Sequence, residues 1–389
     1  MPSKSRATLI AAVLTVGVVA PVAQSATPPD IHAHRGGTVV NGRPSFTEES
    51  LDAYRHAARD GFVLEVDAKL TKDGVPVALH DATLDRTTTC TGELRTYTRA
   101  ALRRCTPDVL GSPGGGLATR TVSPRGSIAT IAEVLELARL TGVKVNFEIK
   151  NVPTDPDWDP TPAYANRVMD VVVASGLPRS QLLIQSFIPA NLDVAKRRLR
   201  GVATSLLTFN SDQGVIDLAD SSGYRWLSPQ WPLAAGFVAA AHRAGHPVAP
   251  YTLNKRADVR AAGRAKVDAL ITDDPWMAAR ALGRRPVKRL TAKLVRHPAV
   301  VGATGRLRPA RSCKGTVTLR VLGGKRRWHA RSAKLARNCT YSVEVAVPRG
   351  TPARLLATIG FSGNKRLLPR IVGPRQVPLE VPLAVPSSP

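Results

Sequence analysis

Short apolar runs that close on ionisable residues recur along the first part of this chain, and most are followed by a stretch with helical spacing. Residues 31–34, 62–67, 75–80, 143–149, 182–186, 203–207, 226–227, 248–251 and 269–271 read as nine candidate strands, the one at 226–227 very short. Helical spacing falls between them, over 46–58, 129–140, 163–174 and 233–244; in the first, Leu51, Tyr54, Ala57 and Ala58 share a face. Alternation of this kind calls for a parallel sheet covered by helices. Eight such strands plus one irregular piece predict an α/β fold, a (β/α)₈ TIM barrel over residues 27–284. That span is close to the roughly 250 residues the fold takes. A doubly wound open sheet is the competing arrangement. Polar residues at the ends of many different strands favour the barrel, where those ends share one rim.

The rhythm breaks at residues 82–128, a Thr-, Arg- and Gly-rich insert that contains Cys90 and Cys105. A long insert needs a reason to persist, and covering a site is the usual one. The other cysteines, Cys313 and Cys339, lie near the C-terminus. Four cysteines allow three pairings; the local disulfides, Cys90–Cys105 and Cys313–Cys339, are the expectation. No Cys-x-x-Cys spacing points to zinc.

After residue 284 the helical period disappears. Residues 285–305 read as a basic linker and 306–389 as a small basic all-β, sandwich-like domain. There Val317, Leu319 and Val321, and Tyr341, Val343, Val345 and Val347, alternate with other residues. Residues 281–389 hold 23 of the chain's 55 Lys and Arg against only Glu344 and Glu380, so most of the formal charge of +26 sits in the tail. That charge suits an anionic cell-wall polymer or membrane surface; a spacer is the plainer alternative. The tail lacks the dense aromatic interleaving of a nucleic-acid binder, which disfavours that partner. Residues 1–26 read as a secretory signal: Lys4 and Arg6, an apolar run over 7–22, then Ala23-Gln24-Ser25. A secreted or cell-surface protein is expected, and the cysteines fit that compartment. A retained membrane anchor is the alternative.

Side chains two apart on a strand share a face. Glu65 and Asp67 therefore point one way, as do Glu148 and Lys150, and His32 and His34. Three carboxylates meeting at one rim repel unless a cation sits among them, and oxygen ligands suit Mg²⁺ or Ca²⁺. One divalent cation on Glu65, Asp67 and Glu148 is the expectation; a rim neutralised by Arg35 and Lys150 is the alternative. His34 and His80 are the candidate acid/base pair, since imidazole titrates near neutrality. His32 lies deeper on the face of His34. Arg35 can fork onto phosphate, with Lys150 as a second positive contact. Gly36 and Gly37 allow close approach to a ligand. Glu48 is placed to orient Arg35 or the substrate.

Several segments together resemble the glycerophosphodiester phosphodiesterase family. They are His34-Arg35-Gly36-Gly37, Glu48-Glu49-Ser50-Leu51, Glu65-Val66-Asp67, Thr71-Lys72-Asp73-Gly74-Val75-Pro76-Val77, His80-Asp81-Ala82-Thr83-Leu84-Asp85-Arg86-Thr87-Thr88, Glu148-Ile149-Lys150 and Thr272-Asp273-Asp274-Pro275. The likeness spans residues 30–276, and its order and spacing carry it rather than any one piece. It implies a phosphatidylinositol-phospholipase-C-like barrel that hydrolyses glycerophosphodiesters to sn-glycerol 3-phosphate and an alcohol. It implies Mg²⁺ or Ca²⁺ at Glu65, Asp67 and Glu148, His34 and His80 as acid and base, and Arg35 and Lys150 near phosphate. Three positions depart from the pattern. Glu49-Ser50 stands where the family usually has Asn-Thr, and Tyr251 replaces a pocket-lining tryptophan. A phospholipase-D-like action on lysophospholipids or sphingomyelin is the nearest rival reading. A non-catalytic wall- or membrane-binding protein is a more distant one.

Overall fold

The computed structural model describes residues 28–112, 117–121, 126–297, 299–308, 313–322, 328–348 and 354–378. The expected signal segment, residues 1–26, lies outside them. Seven strands build one parallel sheet among the described residues: β1 (Asp30–Ala33), β2 (Val63–Leu70), β3 (Val145–Ile149), β4 (Leu182–Ser186), β5 (Ala203–Thr208), β6 (Trp226–Pro229) and β7 (Ala269–Thr272). Their order is β7-β1-β2-β3-β4-β5-β6. The first strand thus lies beside the last, and the sheet curls.

The expected strand at 248–251 is instead an extended segment with isolated bridges, Leu227 to Val248 and Gln230 to Tyr251. Its carbonyls also accept from β7, with Ile271 N–H donating to Pro250 O at 2.9 Å. Pro247 and Pro250 have no N–H to give, so a full ladder cannot form here. The ladder-paired strands thus make an open, curled, parallel seven-stranded half-barrel, the coarser form of the barrel expected. The candidate strand at 75–80 does not join the parallel run: Pro76–Ala78 turns back and pairs antiparallel with the end of β2.

Among the described residues, eight helices pack outside the sheet: α1 (Leu51–Arg59), α2 (Ile131–Thr141), α3 (Ala163–Ala174), α4 (Pro189–Arg198), α5 (Gln213–Ser222), α6 (Phe237–Arg243), α7 (Arg256–Ala265) and α8 (Pro275–Ala281). α1 begins five residues later than its apolar spacing suggests, because Ser50 caps it by accepting from Ala53 N–H at 3.2 Å. Tyr54, Leu64, Phe147, Ile184 and Leu192 belong to the core cluster between sheet and helices.

The insert has its own small core of Leu79, Leu84, Leu94, Leu102 and Ile128, beside the Cys90–Cys105 disulfide. The C-terminal region has β8 (Lys293–His297), β9 (Val300–Arg308), β10 (Thr316–Leu322), β11 (Trp328–Lys334), β12 (Thr340–Ala346), β13 (Arg354–Phe361) and β14 (Arg370–Pro378). They form two antiparallel sheets that share one apolar cluster, including Val301, Leu319, Val343 and Phe361. Cys313 and Cys339 are joined. The stretch 285–305, for which a linker is expected, contains β8 and the first part of β9.

This region docks against the barrel through specific contacts. Asp60, at the end of α1, accepts from Trp276 Nε1 at 2.9 Å and pairs with Arg370. Gly61 leaves room for Pro369, with which any Cβ would collide, and a Cβ at Gly142 would lie 2.6 Å from Arg320 Cζ. Leu368 and Ile371 join the barrel core. Gly61 and Gly142 precede β2 and β3, so the docked face lies opposite the carboxyl ends of the strands. No helix among the described residues is long and apolar enough to cross a membrane.

Candidate active site

β2 runs Val-Leu-Glu-Val-Asp-Ala-Lys-Leu, and its pleat sends Glu65, Asp67 and Lys69 to the inner face. Parallel register sets Glu65 beside Asn146 and Asp67 beside Glu148. Glu65, Asp67 and Glu148 are all buried, and each offers a carboxylate oxygen within 4.8 Å of the others. Burial, and then the Asp67 charge, push Glu65 up to about 7. Burial also holds Glu148 well above the ordinary carboxylate range. Burial alone would raise Asp67, but Lys150, His80 and Arg35 outweigh it and hold Asp67 low. Lys150 Nζ lies 3.1 Å from Glu148 Oε1, and Arg35 Nε lies 3.3 Å from Asp67 Oδ2. Both contacts are at ion-pair distance, yet neither carboxylate oxygen receives a well-directed hydrogen bond.

His34 sits one residue past β1, in a single helical turn, His34–Gly36, where Arg35 takes a left-handed φ of 51°. Its Nδ1 is 2.6 Å from Asp273 Oδ1, and the other Asp273 oxygen accepts from Asn254 at 2.6 Å. Burial and Arg35 lower the affinity of His34 for a proton; Asp273 outweighs them and leaves it raised. Gly36 and Gly37 make their close approach to Ala53 of α1 and Pro275 of α8, at 2.7 and 2.8 Å from a would-be Cβ. Their smallness therefore serves helix packing, a different close approach from the one expected.

His80 mirrors this arrangement on the other side. Its Nδ1 is 2.6 Å from Asp81 Oδ1. Burial, reinforced by Arg35 and Lys150, pushes His80 down to about 4. Arg86 joins the two halves: Nη2 donates to Asp81 Oδ1 at 2.9 Å and to Glu48 Oε1 at 2.6 Å. Glu48 also accepts from Arg35 Nη1 at 3.2 Å, so it stands behind the arginine.

His34, Arg35, Glu65, His80, Glu148, Lys150 and Tyr251 line one cleft of about 1040 Å³. Tyr251 hydrogen-bonds to Thr208 O at 3.0 Å. Every expected barrel site residue thus lies in the cleft wall or directly behind it. Several neighbours had no role in the sequence reading. Asp273 and Asp81 hold the imidazoles, and Arg86 ties the insert to both Asp81 and Glu48. Glu49 accepts from Asp67 N–H at 3.1 Å and from Tyr54 OH. Deeper down, His32, Asn146, Gln185 and Glu65 form a hydrogen-bonded chain. Strand parity was the available signal for Asn146, which shares a face with Glu148.

A sequence model described as the glycerophosphoryl diester phosphodiesterase family matches residues 34–277. A glycerophosphodiester phosphodiesterase of Bacillus altitudinis is 24% identical over 250 residues, covering 63% of this chain and 94% of that protein. Glycerophosphodiester phosphodiesterase 1 of Bos taurus is 34% identical over 119 residues, 30% of this chain; the match covers only 33% of the bovine protein. A phosphodiesterase of Oleispira antarctica, solved with its product sn-glycerol-3-phosphate, superposes with a TM-score of 0.54 at 21% identity, over 66% of this chain and 97% of that one. That likeness is one of fold.

Proposed function

This chain belongs to the glycerophosphoryl diester phosphodiesterase family, and from that premise we propose that it hydrolyses glycerophosphodiesters to sn-glycerol 3-phosphate and an alcohol. The observation that carries the reading is the pair of imidazole–carboxylate couples, His34–Asp273 and His80–Asp81, in one cleft with a buried triad of acids. In each couple the carboxylate holds Nδ1 and leaves Nε2 for a substrate proton. Arg35 and Lys150 take the non-bridging phosphate oxygens.

One imidazole removes the proton from the glycerol hydroxyl beside the diester, and that oxygen attacks phosphorus. The bond from phosphorus to the alcohol oxygen breaks, and the second imidazole supplies the proton the alcohol takes away. Water then opens the cyclic 1,2-phosphate with the roles reversed, giving sn-glycerol 3-phosphate. A cyclic phosphate trapped in rapid-quench samples supports this route, and its absence favours direct attack by water.

The acid triad fits a hard divalent cation. Asp67 Oδ2 and Glu148 Oε1 are buried carboxylate oxygens without a directed hydrogen bond, in a set of oxygen donors. Glu65, Asp67 and Glu148 would hold Mg²⁺ or Ca²⁺, which when bound offsets negative charge on the phosphoryl oxygens. We also read residues 248–253 as the strand-like piece completing an eight-membered ring. The signal-like residues 1–26 and the two disulfides support an extracytoplasmic destination. The basic C-terminal domain suits an anionic polymer or headgroup surface.

The test is release of sn-glycerol 3-phosphate from glycerophosphocholine by the mature protein, with and without a strong chelator and beside His34→Ala. Turnover lost on chelation and in the variant is expected. Turnover that survives both would overturn the reading.

A further inference from the structure

Of the three acids, Glu65 is held most completely. Asp67 and Glu148 each keep a buried oxygen with no directed hydrogen bond. Both oxygens of Glu65 have one: Arg35 N–H donates to Oε2 at 2.8 Å, and Gln185 Nε2 donates to Oε1 at 2.8 Å. A carboxylate oxygen has room for two partners, so each of these can still face a cation. What fixes Gln185 lies on two other strands.

Gln185 of β4 is almost wholly buried, and Asn146 of β3 is fully so. Asn146 Nδ2 donates to Gln185 Oε1 at 2.8 Å, and the same nitrogen lies 3.1 Å from Nδ1 of His32 on β1. Chemistry sets the direction of every link. A carboxylate that holds a cation can only accept, so Gln185 turns its amide nitrogen to Glu65 and its oxygen to Asn146. Asn146 then gives both amide hydrogens, one to Gln185 and one to His32. His32 can take one only if Nδ1 carries no proton, so its single proton is on Nε2. Burial favours that neutral ring.

This direction leaves a mark. Asn146 Oδ1 is buried with no hydrogen bond among the described residues, an arrangement that costs free energy. Turning both amides over would give that oxygen a donor in Gln185. It would also set Gln185 Oε1 against the Glu65 carboxylate. An unprotonated His32 Nδ1 opposes the turn, because it would then face Asn146 Oδ1 and two acceptors would meet.

We propose that His32, Asn146 and Gln185 are positioning residues for Glu65, and that an acceptor at position 32 sets the polarity of the chain so that Glu65 is held ready for a divalent cation. The inference rests on the phosphodiesterase reading above and on its acid triad. His32 acts only through the two amides and takes no part in the proton transfers in the cleft.

The experiment measures dissociation constants for Mg²⁺ and Ca²⁺ by calorimetry on the mature protein, stripped of metal and without substrate. Gln185→Met keeps the length and removes the donor, and it is expected to weaken binding by about 10- to 100-fold. His32→Leu removes the acceptor and should weaken binding by about tenfold. His32→Asn returns an acceptor oxygen near the place of Nδ1 and should bring most of the affinity back. Added to Gln185→Met, His32→Leu should cost nothing further, because it acts through that side chain. Thermal melts of the metal-free proteins check that each variant folds. Where Gln185→Met does not, Gln185→Asn, which draws the amide back from Glu65, is read for the same weakening. Equal affinity in wild type and His32→Leu, equal losses in His32→Leu and His32→Asn, or additive losses in the double variant overturn the chain and leave the phosphodiesterase reading standing. A wild type that hydrolyses glycerophosphocholine but binds neither cation overturns the triad's metal role and the chain with it. A wild type that does neither overturns the phosphodiesterase reading as well.

Discussion

His34 takes its carboxylate from Asp273, 239 positions away across the seam between β1 and β7, whereas His80 takes one from its own neighbour, Asp81. The first couple is therefore held by the sheet. The second is held by the insert, through Arg86, and the insert is closed by Cys90–Cys105. Their surroundings push them apart as well: His34 is raised, and His80 is pushed down to about 4. Two similar imidazoles thus depend on different parts of the molecule, and damage to the insert should reach only one of them.

The largest expected effect treats the couples as equals. His34→Ala and His80→Ala should each lower kcat on glycerophosphocholine by roughly 10²- to 10⁴-fold, and the double variant should lose little more than the worse single one. A single variant with near-normal turnover breaks the symmetry of roles. Next come the orienting carboxylates. Asp273→Asn should cost on the order of 10²-fold or more in kcat. Asp81→Asn should cost less, because Arg86 remains to hold the insert. The reverse order, read from steady-state kinetics, would mean that the seam is not the stiffer support.

A smaller effect isolates the insert. Arg86→Ala should lower kcat by roughly tenfold, the scale of a lost charge-assisted contact. Reducing the disulfides, or making Cys90→Ser with Cys105→Ser, should move activity in the same direction in wild type and add little in Arg86→Ala. Independent losses would show that the disulfide acts elsewhere. The smallest effect concerns a third histidine whose partner is an amide. His32 is buried beside Asn146, and burial pushes it from 6.5 down to about 4. The unfolded chain then binds more protons than the folded one between those values. His32 therefore adds no penalty above pH 6.5 and destabilises the fold progressively as pH falls toward 4. His32→Gln should flatten that part of the thermal-midpoint profile in calorimetry, and an unchanged slope would assign it to other groups.

What was legible in the sequence was mostly local. The period of two placed Glu65 with Asp67 and predicted the rim they share with Glu148. The short strand at Trp226 was found despite its length. What was missed depended on distant or competing contacts. No spacing could pair His34 with Asp273. Lys69 looks like an ordinary strand lysine until the loop bearing Asp155 and Asp157 folds over it. The helix start at Leu51 was hidden by apolar residues upstream, and Ser50 decides it through a cap. Residues 248–253 have strand-like composition, but Pro250 among them and Pro247 just before them interrupt the ladder that would have made them one. Residues 75–80 look like a barrel strand because hydrophobicity does not encode direction.

For the polyanionic partner proposed above, the placement of the C-terminal domain has a geometric consequence. Arg370 and Arg320 seat that domain on the helix ends beneath the barrel, opposite the open rim. A molecule stuck to a polyanionic sheet by its base would hold its opening outward, like a cup set on a table. It would then collect dissolved, already detached phosphodiesters drifting past rather than cropping the surface on which it stands.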